Sequence, residues 1–335
     1  MARSRASSPP CARRSAGCEL SALLDSLRPR QWVKNLFVFG GLVFGQRLFD
    51  PTAVGTAVAA FAIFCGLSGA IYLLNDVADR DKDRLHPEKR SRPVAAGRLS
   101  VGAALTAAAA LIVAGLAAAA WLSRPFAVAA VAYVLLLSAY SARLKHVVIV
   151  DVLVVAIGFV LRAAAGALAI DVAISGWLLI CTILLALFLA LGKRRHEVLT
   201  LGEGASRHRP ILAEYSAGLL DQMIAVVTAS TVTAYALYTM SPETVAKFRT
   251  SLLPATLPFV LYGIFRYLYL LYRCQLGGNP SEVVIRDRAL LVNTLLWLVV
   301  VLVIIYGTGG PDGGRRAPPA GSSRPGEPGA LLGPG

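Results

Sequence analysis

Hydrophobic runs of about 18–24 residues recur along almost the whole chain, at 33–49, 53–74, 100–121, 125–142, 147–170, 175–192, 216–239, 251–272 and 289–307. That is the length needed to cross ~30 Å of hydrocarbon as an α-helix. Lipid offers no partner for backbone N–H and C=O groups, so a chain with this pattern must satisfy them within each segment, as helices do. Only 16% of the residues are charged and 56% are hydrophobic, against the ~25% charged residues of an average soluble domain. The expected fold class is an all-α polytopic membrane protein of about nine transmembrane helices.

The two ends differ from this middle. Residues 1–20 are rich in Arg, Ser, Ala and Pro and have no apolar h-region, so they read as a basic disordered tail rather than a signal peptide. The Gly/Pro/Arg/Ser-rich stretch 309–335 reads as a second disordered tail. The expected organisation is a tail over 1–24, one membrane domain over 25–308 and a tail over 309–335. The five cysteines show no metal-ligand spacing.

The net charge is +14. Most of the 33 Lys and Arg residues fall on the N-terminal side of the runs, in 1–35, 75–99, 143–145, 193–209 and 273–288. That asymmetry places the N-terminus and the charged loops in the cytoplasm and the C-terminal tail outside. It also accounts for the basicity through topology and the lipid surface, with no need for nucleic acid as a partner.

The densest charge of both signs follows the second run directly, in LLNDVADRDKDRLHPEKRSRPVAAG from Leu73 to Gly97. If the helix continues past Leu74 at about 100° per residue, Asp79 and Asp83 lie within about 60° of Asp76, whereas Asp81 falls on the far side. Asn75 flanks the same face. Three carboxylates and an amide on one face repel one another unless a cation neutralises them. Mg²⁺ suits the donors, since it binds through one or two carboxylates, several waters and substrate phosphates. Lys89 and Arg92, just beyond, are natural phosphate donors. The plainer reading is an acidic helix end paired with neighbouring Arg and Lys.

Asn75-Asp76-x-x-Asp79-x-x-x-Asp83, followed by His86-Pro-x-Lys89 and Arg92-Pro93, resembles the first signature of the UbiA-type membrane prenyltransferase superfamily. The resemblance covers roughly residues 25–307. It implies a helical bundle around a central cavity open to the cytoplasm, with Asn75, Asp76, Asp79 and Asp83 holding Mg²⁺ against a diphosphate. Common members of that superfamily transfer an isoprenyl group from a prenyl diphosphate to an aromatic acceptor and carry a second DxxxD motif. Here Asp151 is followed four residues later by Val155, which puts a second paired-carboxylate site in doubt.

Other features resemble a narrower group, the decaprenyl-phosphate phosphoribosyltransferases. They are Arg28-Pro-Arg-Gln31-Trp32-Val-Lys34-Asn35, Tyr140-Ser-x-x-Leu-Lys145, Leu191-Gly-Lys193-Arg194-Arg195-x-Glu197, and His208-Arg209 with Tyr215. This likeness implies 5-phosphoribosyl 1-diphosphate as donor, decaprenyl phosphate or a similar polyprenyl phosphate as acceptor, and Mg²⁺ as cofactor. It also implies a role in cell-wall arabinan synthesis. The alternative is the aromatic-acceptor prenyltransferase.

A donor with a diphosphate and a separate 5-phosphate needs more cations than a prenyl diphosphate does. Lys34, Lys89, Arg92, Lys145, Lys193, Arg194 and Arg195 are available, with Asn35, Asn75 and Tyr140 beside them in the motifs. Lys193–Arg195 reads equally as an ordinary cationic cluster ending a membrane span, and Glu197 as a helical ion-pair partner. Ionisable residues inside a span tend to face a cavity or a partner. Asp151 and Arg162, eleven residues apart, share a helix face. Asp76, Asp79, Asp83 and Asp151 are therefore the candidate catalytic carboxylates, and Arg162 joins the candidate substrate-binding set.

Overall fold

The computed structural model describes residues 16–85, 87, 89–201 and 210–307. His86, Glu88, His208 and Arg209 lie outside the described residues, as do 1–15 of the first expected tail and all of the second. Among the described residues every regular element is helical. Eight helices are long and apolar enough to cross a membrane. The eight match all the expected spans but the first: α3 (Pro51–Ala78), α5 (Val101–Leu122), α6 (Arg124–Ala142), α7 (Val150–Ala169), α8 (Gly176–Leu201), α9 (Ala217–Met240), the span Leu253–Tyr272, in which a short 3₁₀ turn runs into α11 (Leu257–Tyr272), and α13 (Arg288–Gly307). Shorter helices are α1 (Ala16–Leu27), α2 (Gly40–Phe44), α4 (Arg80–Leu85), α10 (Pro242–Phe248) and α12 (Pro280–Arg286).

Helix starts follow local chemistry. Asp50 caps α3 by accepting from the Thr52 and Ala53 amides at 3.0 and 3.2 Å, with Pro51 at the first position. Ser100 and Ser216 cap α5 and α9 in the same manner.

The expected first span, 33–49, is built differently. Residues Pro29–Phe39 form an 11-residue 3₁₀-helix that runs on into the five-residue α2. At the rises of the two helix types the segment extends about 30 Å. It lies antiparallel along α3: Arg28 meets Asp76 near the end of α3, Asn35 meets Ser68 midway, and Leu42 packs with Ala53 and Ala57 near its start. On the facing helix α7, a Cβ at Gly166 would sit 1.8 Å from the Val38 carbonyl oxygen, so only glycine admits this approach.

Residues before 25 also belong to the helical structure. Helix α1 carries an apolar stripe, Ala22, Leu23 and Leu27, that packs with Ala70, Leu73 and Val94, and this burial holds residues expected in the tail.

With α3 and α4 meeting at Asp79, the charged clusters share one end of the bundle. That end gathers the C-termini of α3, α6, α8 and α11 and the N-termini of α7 and α9. The turn after Arg92 is anchored by the same α1 cluster, since Val94 and Leu99 are buried in it. Gly97 at φ 73° supplies the left-handed residue this turn needs.

Candidate active site

At the end of α3 the helix breaks at Asp79 and resumes as α4, yet Asp83 N still bonds Asp79 O at 2.8 Å, so the expected face survives the break. Asp76 and Asp83 are buried, at 1% and 4% exposure, and Asp81 points away to pair with exposed Arg84. Arg92 is held where it bonds both carboxylates: its Nη1 lies 3.2 Å from Asp76 Oδ1 and 2.7 Å from Asp83 Oδ2. Arg28 bonds the same Asp76 oxygen.

Asp79 turns to the other side. Lys145 Nζ donates to its two oxygens at 2.7 and 2.9 Å and to Asn75 Oδ1 at 3.4 Å. The four expected metal ligands are thus divided, Asp76 with Asp83 on Arg92, and Asp79 with Asn75 on Lys145. The plainer sequence reading, carboxylates paired with Arg and Lys, describes the observed contacts.

Among the described residues no group of three Asp, Glu, His or Cys side chains forms a metal cage. That suits Mg²⁺, which takes few protein ligands and completes its shell with water and phosphate. One oxygen speaks for such an ion directly. Asp76 Oδ2 is buried and has no hydrogen-bond partner among the described residues, which is costly for a carboxylate unless a cation or a ligand meets it. The donors are all hard oxygens, so this set fits Mg²⁺.

Arg28, which was not among the expected site residues, joins this cluster. It adopts φ 52°, ψ 63°, left-handed for a residue with a side chain, at the start of the 3₁₀-segment. Its guanidinium stacks over Tyr72 at 4.8 Å on its way to Asp76. Non-glycine residues persist in that region only where their surroundings fix them. The available signal was a cation placed just before the first apolar run.

The start of α7 is a second cluster. Asp151 is fully buried; Tyr215 Oη donates to its Oδ1 at 2.7 Å, and Arg194 Nε lies 3.3 Å from its Oδ2. Arg194 also bonds Glu197, and Lys193 Nζ stands 3.8 Å from the same carboxylate. Tyr215 Oη accepts from the Ile149 amide at 2.7 Å, which pins a β-branched residue at φ 67°. Burial first, and then the bond to Asp151, push the Tyr215 hydroxyl up to about 12, so it stays protonated as a donor. Val155, where a second carboxylate would complete DxxxD, packs against the apolar cluster of Val152, Phe188 and Leu191.

The remaining candidates are spread around these two clusters. Arg195 Nε meets Asp221 at 2.5 Å and stacks on Tyr272 at 3.9 Å, away from both. Lys89 sits in the turn Lys89–Ser91, and Tyr140 is half-buried near the end of α6. Arg162 is buried at mid-helix with Asn35 and Tyr133, and Lys34 is half-buried beside them. Arg266 is a structural partner of Asp287, at 2.7 Å.

Comparison with known proteins gives consistent results. The model of the UbiA prenyltransferase family matches residues 35–281. A protein of Mycolicibacterium smegmatis named decaprenyl-phosphate phosphoribosyltransferase is 30% identical over 86% of this chain and 93% of its own length. One of the same name from Corynebacterium glutamicum is 33% identical over 85% of this chain and 86% of its own. A solved UbiA homologue from Archaeoglobus fulgidus, bound to GPP and Mg²⁺, superimposes with a TM-score of 0.65 at 20% identity, covering 85% of this chain and 99% of that one.

Proposed function

The chain belongs to the UbiA prenyltransferase family, and from that premise we propose that it is a membrane phosphoribosyltransferase. It moves 5-phosphoribose from 5-phosphoribosyl 1-diphosphate to decaprenyl phosphate, or a similar polyprenyl phosphate, and releases pyrophosphate. The named relatives support this reading, and with it a place in cell-wall arabinan synthesis. The observation that carries it is the asymmetry between the two aspartate clusters. The α3 cluster sets Asp76 and Asp83 among Arg28 and Arg92, whereas the α7 cluster spends Asp151 on Tyr215 and Arg194 and has Val155 where a second metal-binding carboxylate would stand. One acidic pole surrounded by Arg and Lys suits a small donor with several phosphates.

Asp76 and Asp83, with Asn75 and Asp79 adjoining, would hold Mg²⁺. When bound, the ion supplies Lewis-acid stabilisation of the leaving diphosphate. The protein's own groups do the rest. Arg28, Arg92 and Lys145 exchange their carboxylate partners for diphosphate oxygens, and Lys89 and Lys193 stand along the same end for further phosphate oxygens. An oxygen of the lipid phosphate attacks ribose C1 as the C1–O bond to the diphosphate breaks with oxocarbenium-like character. A phosphate monoester is already anionic at neutral pH, so the step needs no strong general base. Catalysis is positioning and electrostatics. The positive-inside asymmetry of the Lys and Arg residues supports a cytoplasmic site and N-terminus and an outer C-terminus.

The test uses the detergent-purified full chain with Mg²⁺, ribose-labelled 5-phosphoribosyl 1-diphosphate and decaprenyl phosphate. Label should pass into the organic phase, and EDTA should stop it. Absence of transfer, with activity on a prenyl diphosphate and an aromatic acid, would overturn the reading.

A further inference from the structure

Midway along α7, Arg162 is 6% exposed and bonds only neutral groups among the described residues. Its Nε donates to Asn35 Oδ1 at 2.8 Å, Nη1 to the Gly158 carbonyl at 2.9 Å and Nη2 to Tyr133 Oη at 2.6 Å. The guanidinium also lies over the Tyr133 and Phe159 rings, at 4.7 and 5.2 Å. Asn35 is fixed in turn by Ser68, at 3.2 Å. No carboxylate pairs with Arg162 among the described residues, and those three bonds leave N–H groups of the fork unused. Lys34, the preceding residue on the 3₁₀-segment, has no hydrogen bond or ion pair among the described residues, and it lies close enough to Arg162 and Arg28 to be repelled by both. Every other cluster of cations described above is matched by Asp or Glu.

Two cations at this depth without a counter-charge are expensive to keep. A purely structural hub would need no charge there, since a neutral donor would serve Asn35 and Tyr133. The expense is offset when an anion binds. The depth of the pair identifies which anion. The guanidinium bonds Gly158, eight residues from the start of α7, so it sits ~12 Å below the aqueous end of the bundle where Asp76 and Asp83 collect. A water-soluble donor enters from that end. An anion that arrives from the hydrocarbon side is the headgroup of a lipid.

We propose that Lys34 and Arg162 form the subsite for the phosphate of the polyprenyl phosphate acceptor, a pole separate from the diphosphate site at Asp76, Asp83 and Arg92. Arg162 supplies the fork and is itself aimed by Asn35 and Tyr133; Lys34 supplies the second charge. The inference rests on the acceptor class proposed above, and its test is direct binding, so that it can be judged without turnover.

Purified full-length protein is equilibrated with radiolabelled decaprenyl phosphate in detergent, and separately with labelled 5-phosphoribosyl 1-diphosphate and Mg²⁺. Arg162→Gln should weaken lipid binding at least tenfold and leave donor binding within about twofold. Arg162→Lys, which keeps the charge, should recover part of the loss, and Lys34→Met should behave like Arg162→Gln. Thermal unfolding in the same detergent identifies any variant that has lost its fold, in which case Lys34→Met and Arg162→Lys carry the test. Loss of donor binding instead, equal loss of both, or no binding of decaprenyl phosphate by the parent protein would each overturn the subsite. A parent that binds the lipid phosphate but transfers no phosphoribose would overturn the reaction proposed above and leave the subsite standing.

Discussion

The ends of α3 and α7 each bring an aspartate to the same end of the bundle and treat it in opposite ways. At α3, Asp76 keeps one buried oxygen without a hydrogen bond among the described residues, and its other oxygen is shared between the long side chains of Arg28 and Arg92. At α7, Asp151 Oδ1 is gripped by a phenol whose hydroxyl also fixes the backbone of Ile149, and its Oδ2, which like Asp76 Oδ2 accepts no hydrogen bond among the described residues, is ion-paired with Arg194 from the neighbouring helix. The first arrangement can change partners when a ligand arrives. The second is a pin. A carboxylate in a membrane enzyme is therefore not a ligand by virtue of its type. What distinguishes the two is that the Tyr215 hydroxyl on Asp151 is itself tied to the Ile149 backbone, whereas Asp76 is met, among the described residues, by arginine side chains alone.

The strongest way to break that contrast is through Asp83. Asp83→Asn should leave the fold intact and cut Mg²⁺-dependent turnover by roughly 10²- to 10³-fold, the scale of losing one preorganised electrostatic group. Binding of Mn²⁺ followed by EPR should weaken alongside. Unchanged turnover and Mn²⁺ affinity would place the metal elsewhere. Asp151→Asn should do the reverse, lowering thermal stability while Mn²⁺ binding holds.

Next in size is Arg194. Removing one partner from a buried pair strands the other, a loss of about 3–5 kcal/mol in measured cases. Asp151 would keep its Tyr215 bond in Arg194→Met, so the lower part of that range is expected, read as a drop in the unfolding midpoint in detergent. A stability equal to that of the parent protein would mean that Arg194 is held for a ligand, and the two helix ends would then be alike.

How much of this was legible beforehand depended on the range of the interaction. Eight helices followed from run length alone, because lipid leaves a long apolar segment one way to satisfy its backbone. The shared face of Asp76, Asp79 and Asp83, and the exclusion of Asp81, followed from helical phase. The 3₁₀ character of Pro29–Phe39 did not, nor did its close seating on Gly166, a residue more than a hundred positions away. Nor did the division of the four oxygen donors between Arg92 and Lys145, which is set by the turn after Arg92 and by the short 3₁₀ turn after α6. Arg28 and Tyr133 went unassigned for a related reason. One lies before an apolar run and the other inside one, where a single polar atom carries no period.

The smallest expected effect tests the pin from its other side. Tyr215→Phe removes a donor from Asp151 and an acceptor from the Ile149 amide, worth about 1–3 kcal/mol when buried partners are left unpaired. Its signature is in alkali. The hydroxyl, ordinarily near 10, is raised to about 12 in the fold, burial first and the Asp151 bond second. A raised pKa means that the protonated phenol is the form the fold favours. Its contribution is therefore complete below about pH 10 and is lost as the pH climbs toward about 12. The parent protein should lose stability across that window more steeply than Tyr215→Phe, and the two unfolding curves should converge at its upper edge. Parallel curves would mean that the phenol does not titrate with the pin, and that Asp151 is held by Arg194 alone.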